Sequence, residues 1–154
     1  MLYFQRRLGV VLVCALAMAM GPVAHGAQRL AKVSGGGTAT FDFIEGLQSQ
    51  FAIGATVYSD GSAKGLFMCM IVGVVTISGE VEKGSSNSDD SVTFSGVAHG
   101  IDHVLGGPFE GCPFEITLWS GGPGVGRFLY NDCVVPPPGD YETVSKGGIT
   151  IRRR

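Results

Sequence analysis

A repeated order of strand, glycine-rich turn and strand constrains the fold of this chain more than any other feature of its sequence. The stretch 50–70 is the clearest example, because apolar residues recur at every second position on both sides of Asp60-Gly61. A period of two places side chains on one face of an extended strand, and Asp-Gly supplies the positive φ of a tight reversal. The stretch therefore predicts a β-hairpin. Its alternating positions are Phe51, Ile53, Ala55 and Val57 before the turn and Leu66, Met68 and Met70 after it.

The same pattern continues to the end of the chain. Further alternating runs begin near Ala39, Val75, Val92, Phe114 and Ile149, and turn residues separate them. Short strands at roughly ten-residue spacing, without helical periodicity, are typical of sandwiches and barrels. We predict an all-β fold, an antiparallel β-sandwich or flattened barrel of about eight or nine strands.

Residues 1–26 differ from the rest of the chain. Arg6-Arg7 precedes an apolar run over 8–20, which is too short to span a bilayer as a mature helix. Small residues at Ala24 and Gly26 then suit cleavage before Ala27. We predict a helical signal peptide over 1–26 and a secreted or periplasmic protein, with no stable membrane span after cleavage.

The mature chain predicts one domain. Removal of 26 of the 154 residues leaves 128, enough for a single core. We expect a flexible N-terminus at 27–34 and a single β domain over 35–154. Gly84–Asp90, with no apolar anchor, is expected to form a mobile loop.

Charge excludes one class of partner. Two of the 11 basic residues lie in the leader, which leaves nine against 13 acidic residues. A net negative chain argues against nucleic acid as a partner. The sequence identifies no specific partner, and no cofactor is predicted.

Three cysteines remain after cleavage: Cys69, Cys112 and Cys133. An oxidising compartment favours a disulfide. We predict the pair Cys112–Cys133, because both lie in or beside loops that flank one hairpin, and we interpret Cys69 as a buried small hydrophobe. A bridge from Cys69 to either of the others is the alternative.

His99, Asp102 and His103 form the sharpest polar cluster in the sequence. Two imidazoles and a carboxylate could hold zinc or a similar ion, or Asp102 could orient a histidine that acts as a base. An exposed polar turn is the third interpretation. We prefer the polar turn, because the mature chain has no other histidine and a metal site would need an acid from a distant strand.

Three aromatic residues are candidates for an exposed binding platform: Trp119, Tyr58 and Tyr130. Aromatic rings with a polar tip are common where proteins contact ligands. The alternative for Trp119 is packing beneath the proline-rich loop that contains Pro136–Pro138.

Three short motifs follow one another in the mature chain: GGGTATF at 35–41, VTFSG at 92–96 and GGITI at 147–151. In this order they resemble small, secreted, glycine-rich bacterial β-domains of uncharacterised function, which open G-x-G-T-x-x-F and close G-x-I-x-I. The resemblance spans most of the mature chain and brings no enzymatic activity with it. The chain departs from the group at Ser120-Gly121-Gly122, where an Asp-bearing turn is expected.

These observations favour a secreted, non-enzymatic β-domain that binds a partner through loops at one end of its sheets. One alternative is a small barrel that carries an apolar ligand in a cavity lined by Phe41, Phe51, Met68 and Phe94. The other is a metal-assisted enzyme that uses the His99, Asp102 and His103 cluster.

Overall fold

The computed structural model describes residues 26–133 and 141–154. The predicted signal peptide, apart from Gly26, and the three prolines at 136–138 lie outside the described residues. Eight strands follow one another: β1 Arg29–Phe41, β2 Gln48–Tyr58, β3 Ser62–Ile71, β4 Val75–Ser86, β5 Val92–Asp102, β6 Gly107–Trp119, β7 Arg127–Asn131 and β8 Tyr141–Arg153.

The strands form a closed antiparallel barrel in which each strand pairs with the next one along the chain. Pairing of β1 with β8, from Ala31 opposite Arg153 to Phe41 opposite Glu142, closes the ring. The predicted all-β antiparallel fold is confirmed, and of its two predicted forms the barrel is observed. Because consecutive strands from β1 to β6 pair antiparallel, the β1–β2, β3–β4 and β5–β6 loops share one end of the barrel.

The N-terminal strand corrects one prediction. The segment 27–34 was expected to be flexible, but β1 already begins at Arg29. Ala31 and Val33 are fully buried. Burial of these side chains and hydrogen bonding to both β2 and β8 give this segment a structural role.

The core lies inside the barrel, where alternate residues of each strand meet. Phe67 is at its centre, with ring centroids 5.1 Å from Tyr130, 6.1 Å from Phe114 and 6.4 Å from Phe128. Phe51 extends the group, 5.0 Å from Phe128. Packed aromatic rings therefore occupy the middle of the barrel.

Glycine in β4 makes room for one of these rings. A Cβ on buried Gly79 would lie 2.5 Å from Cε1 of Phe114. Since real Cβ atoms do not approach other atoms so closely, Gly79 is the residue that lets Phe114 reach the centre.

The inward face of β3 is the opposite of the one that the sequence indicated. Phe67, Cys69 and Ile71 are buried, whereas Leu66 and Met68 are 55% and 52% exposed on the outer face. Both faces of this strand are apolar, so alternation alone does not distinguish them.

The end of the barrel that carries the β2–β3, β4–β5 and β6–β7 loops is polar, and we call it the polar end. Arg153 of β8 forms an ion pair with Asp90, and its guanidinium also donates to Ser86 Oγ at 3.1 Å and to the Ser91 carbonyl at 3.2 Å. Of the segment 84–90 predicted to be a mobile loop, residues 84–86 belong to β4, and the loop that follows, over 87–91, is fastened across to the last strand. Hydrogen bonds from Ser91 hold the pKa of Asp89 below its ordinary value.

Candidate functional site

The predicted metal cluster is not assembled. The Asp102 carboxylate accepts hydrogen bonds from the N–H groups of Val104 and Leu105, both at 2.8 Å. His103 lies 3.2 Å from the Thr76 hydroxyl, and His99 is exposed on the outer face of β5. Within residues 26–133 and 141–154, no three His, Cys, Asp or Glu side chains are placed to hold a metal ion.

The predicted aromatic platform is divided between two sides of the barrel wall. Tyr130 is buried inside, where its hydroxyl donates to Asp132 at 2.8 Å, so its assignment to an exposed platform is wrong. Tyr58 and Trp119 are half-buried and lie on β2 and β6, which are not neighbouring strands.

Trp119 packs against the barrel wall instead. The Arg127 guanidinium lies 4.8 Å from the centroid of the Trp119 ring and 5.3 Å from that of Tyr141. The indole N–H donates to Asp89 at 3.3 Å. The rings of Trp119 and Tyr141 and the guanidinium form a cation–π group that ties β6, β7 and β8 together.

The cysteines pair as predicted. Cys112 of β6 and Cys133, just after β7, form a disulfide across 21 residues. Cys69 is a buried free thiol inside the barrel.

Buried polar side chains gather around that thiol. The Ser49 hydroxyl donates to the Glu142 carboxylate, and both residues are at most 3% exposed. Burial raises the pKa of the Cys69 thiol, and the charge of Glu142 raises it further. Burial also raises the pKa of Tyr130, with the charge of Asp132 as the second cause. Both groups therefore stay protonated at neutral pH.

The four residues predicted to line a carrier cavity do not all face the interior, although Phe51 and Met68 border one open pocket on the barrel wall. Phe41, Phe51 and Phe94 are buried in the barrel, whereas Met68 lies on its outer face. The three buried rings belong to the same core cluster as Phe67, and Phe51 packs directly against Phe128 of that aromatic group.

Large apolar side chains are exposed on three loops at one end of the barrel. We call this set the apolar rim; its members and exposed fractions are Phe43 83%, Ile44 49%, Val72 75%, Val104 69% and Leu105 87%. Isolated apolar residues on a surface are ordinary, but a run of them on neighbouring loops marks an interaction surface.

Strand register makes the rim continuous. Ser49 is opposite Ile71, so the β1–β2 loop lies beside the β3–β4 turn. Val75 is opposite Asp102, and the N–H of His103 donates to the Val74 carbonyl at 2.8 Å. The three loops therefore follow one another along about half of the barrel end, an arc of roughly 20 Å at 4.8 Å per strand.

Asp102 determines how one part of the rim is presented. Its carboxylate accepts the two N–H groups of the residues that follow His103, which closes the loop at 103–106 and leaves Val104 and Leu105 facing solvent. A groove of ≈ 330 Å³ runs beside this loop, lined in part by Leu105, Pro108 and Phe109.

The apolar rim was not among the predicted site residues. The alternation that begins at Ala39 passes through Phe41 to Phe43 and so predicts an inward Phe43, but the strand ends at Phe41 and the Phe43 ring is exposed. The available signal was the position of these residues in turns, as in Val104-Leu105 between His103 and Gly106-Gly107. Turn positions face solvent, so apolar residues there need an explanation other than the core.

The part of the chain that the structure describes has no helix long and apolar enough to cross a membrane. No family model, no curated protein and no solved structure matches this chain. The resemblance to small glycine-rich β-domains therefore stays a prediction.

Proposed function

We propose that this protein is a secreted or periplasmic, non-enzymatic binding module that docks onto a partner polypeptide through the apolar rim. The observation that carries the proposal is the exposure of large apolar side chains on three adjacent loops of a closed barrel. Such a surface loses contact with water when a partner covers it, and about 25 cal/mol is gained per Å² of apolar area buried.

The scaffold supports this use. The loops project from strands that each pair with two neighbours in the closed ring, and rigid scaffolds commonly carry binding residues on their loops. The disulfide at Cys112 joins the start of β6 to the segment that follows β7 at the same end. Little conformational freedom is then lost when the loops engage a partner.

The non-catalytic part of the proposal has a separate basis. The Asp102 and His103 side chains make unrelated contacts, His99 is exposed on the outer face of β5, and Asp102 is engaged in holding its own loop. The buried hydroxyl, thiol and carboxyl groups around Cys69 are enclosed by the core, where a substrate would have to displace packed aromatic rings.

The test compares a rim variant with a variant at the opposite end of the barrel. The rim variant combines Val72→Ser, Val104→Ser and Leu105→Ser. The control is Val125→Ser in the β6–β7 loop, where Val125 is 70% exposed. We expect the rim variant, and not the control, to elute markedly earlier from a phenyl resin and to bind less bis-ANS, with both melting temperatures close to that of the parent. Equal retention of the rim variant and the parent would contradict the proposal.

A further inference from the structure

The barrel is electrostatically asymmetric along its axis. The charged residues beside the apolar rim are Asp42, Glu45, Asp102 and Glu110, all of them acidic. Residues 41–63 and 84–126 contain no lysine or arginine.

Basic residues lie toward the polar end. Arg29 is opposite Tyr58 and Lys83 is opposite Ser62, both beside the β2–β3 turn, and Arg152 follows them at the end of β8. Two described basic residues lie part of the way along β8 on the wall: Lys146 is opposite Thr38, and Arg127 of β7 is opposite Thr143. The apolar rim therefore combines exposed apolar tips with carboxylates.

This combination distinguishes between classes of apolar partner. An anionic membrane surface attracts loops that carry Lys and Arg and repels carboxylates. The rim carboxylates attract a polypeptide whose apolar side chains alternate with Lys or Arg, because each basic group can approach a carboxylate while the apolar groups are buried.

Resting on the proposed function, we propose that the partner of the apolar rim is a cationic amphipathic polypeptide segment, and that Glu45 and Glu110 select it by charge. Both side chains are exposed, one in the β1–β2 loop and the other near the start of β6, so they flank the rim on two sides. Asp102 is excluded from this role because its carboxylate holds the loop of Val104 and Leu105.

The test uses two defined peptides, a short amphipathic helix of Leu and Lys and its counterpart with Glu in place of every Lys. At low ionic strength we expect the Leu–Lys peptide to bind about tenfold more tightly, a difference of about 1.4 kcal/mol. Raising the salt from about 50 to about 300 mM shortens the Debye length and is expected to weaken that binding severalfold. Fluorescence anisotropy of labelled peptides measures both effects.

A matched pair of charge variants assigns the selection to the rim. Glu45→Gln with Glu110→Gln is expected to lower the affinity for the Leu–Lys peptide three- to tenfold and to leave retention on phenyl resin unchanged. Glu80→Gln with Glu82→Gln removes the same charge from the outer wall of β4, and its affinity is expected to stay near that of the parent.

The outcomes separate the two proposals. Equal or tighter binding of the Leu–Glu peptide overturns the inference, and so does an equal loss of affinity for the Leu–Lys peptide in the Glu80 and Glu82 variant. If retention on phenyl resin still depends on the rim, the proposed function stands. Co-sedimentation with vesicles of phosphatidylcholine, alone or mixed with phosphatidylglycerol, without binding of the Leu–Lys peptide would identify a lipid surface as the partner instead. Loss of rim-dependent retention removes both proposals.

Discussion

Inside the barrel, the Tyr130 phenol donates to the Asp132 carboxylate in a surrounding of packed rings. Burial first, and then the charge of Asp132, raise the pKa of Tyr130 above the ordinary value of about 10. Above that pH the unfolded chain releases a proton that the folded chain keeps. The folded state therefore loses stability as the pH rises, whereas below about pH 10 the contribution of Tyr130 is complete.

This sign gives the first prediction. We expect Tyr130→Phe to lower the free energy of unfolding by about 1–3 kcal/mol at neutral pH, because the buried Asp132 loses a donor. The deficit is expected to shrink by about 1 kcal/mol per pH unit above pH 10, since only the parent then loses stability through this group. Urea unfolding between about pH 8 and pH 11 measures it.

The comparison is best made in a Cys69→Ala background, which removes the one free thiol in residues 26–133 and 141–154, a thiol that could exchange with the disulfide in the unfolded chain. Tyr58→Phe, on the outer side of β2, is the matched control. A deficit that stays constant across this pH range would show that the buried phenol does not titrate differently in the two states.

A second prediction concerns the contact between Gly79 and Phe114. Gly79→Ala would place a Cβ 2.5 Å from the Phe114 ring, and we expect a loss of about 1–3 kcal/mol in the free energy of unfolding. Gly54→Ala is the control, because a Cβ there meets nothing within 4 Å and its φ is ordinary. Denaturant midpoints of the two variants should differ clearly. Equal midpoints would mean that the Phe114 ring can move to another position without loss of stability.

At the scale of the strands, alternation predicted the inward face wherever only one face is apolar. Phe94 and Ala98 of β5 and Ile116 of β6 are buried as the pattern indicated. In β3 both faces are apolar, and the large ring of Phe67 occupies the interior while Met68 lies outside. Which face points inward then depends on register with β2 and on volume inside the ring, and neither is encoded in the period of two.

The disulfide also acts between strands, because it links Cys112 in the first half of β6 to Cys133 just after β7. Closing a loop of 21 residues lowers the entropy of the unfolded chain and raises its free energy by about 3 kcal/mol. We expect reduction, or Cys112→Ser with Cys133→Ser, to lower the melting temperature by roughly 10 °C while the far-UV spectrum keeps its β character. An unchanged melting temperature would contradict this contribution.

Thiol counting supplies the control for that experiment. Cys69 is 3% exposed, so the native mature chain should react slowly with a thiol reagent. One thiol should react after unfolding without reductant, and three after unfolding with reductant. Three reactive thiols without reductant would mean that the bridge had not formed in the sample.

For the molecule as a whole, the sequence did not decide barrel closure or predict the apolar rim, and the reason is the same for both. Closure depends on the pairing of β1 with β8, from Ala31 opposite Arg153 to Phe41 opposite Glu142. The rim depends on loops that are neighbours because Ser49 is opposite Ile71 and Val75 is opposite Asp102. Local pattern predicts strands and turns, but contacts between distant segments decide whether a sheet closes and which loops become neighbours. The sequence could therefore predict a sandwich or barrel and a loop-based site, without choosing the barrel or its apolar end.

Closure itself gives the last prediction. Deletion of residues 149–154 removes the partners of Ala31–Gly35 along β1 together with the buried side chain of Ile149. The unpaired backbone of β1 then becomes an edge that can pair with another chain. We expect the deletion variant to associate as its concentration rises and to lose its cooperative thermal transition, as measured by size-exclusion chromatography with light scattering and by thermal melts.

The control keeps the backbone and removes only the charges, through Arg152→Ser, Arg153→Ser and Arg154→Ser. Since the ion pair of Arg153 with Asp90 is largely at the surface, its loss is expected to cost at most about 1 kcal/mol and to leave a monomeric barrel. Association of this control to the same degree as the deletion variant would mean that charge, and not the closing strand, keeps the chains apart. A monomeric deletion variant with a sharp transition would mean that the remaining β1–β8 pairs, from Gly36 to Phe41, are enough to hold the ring closed.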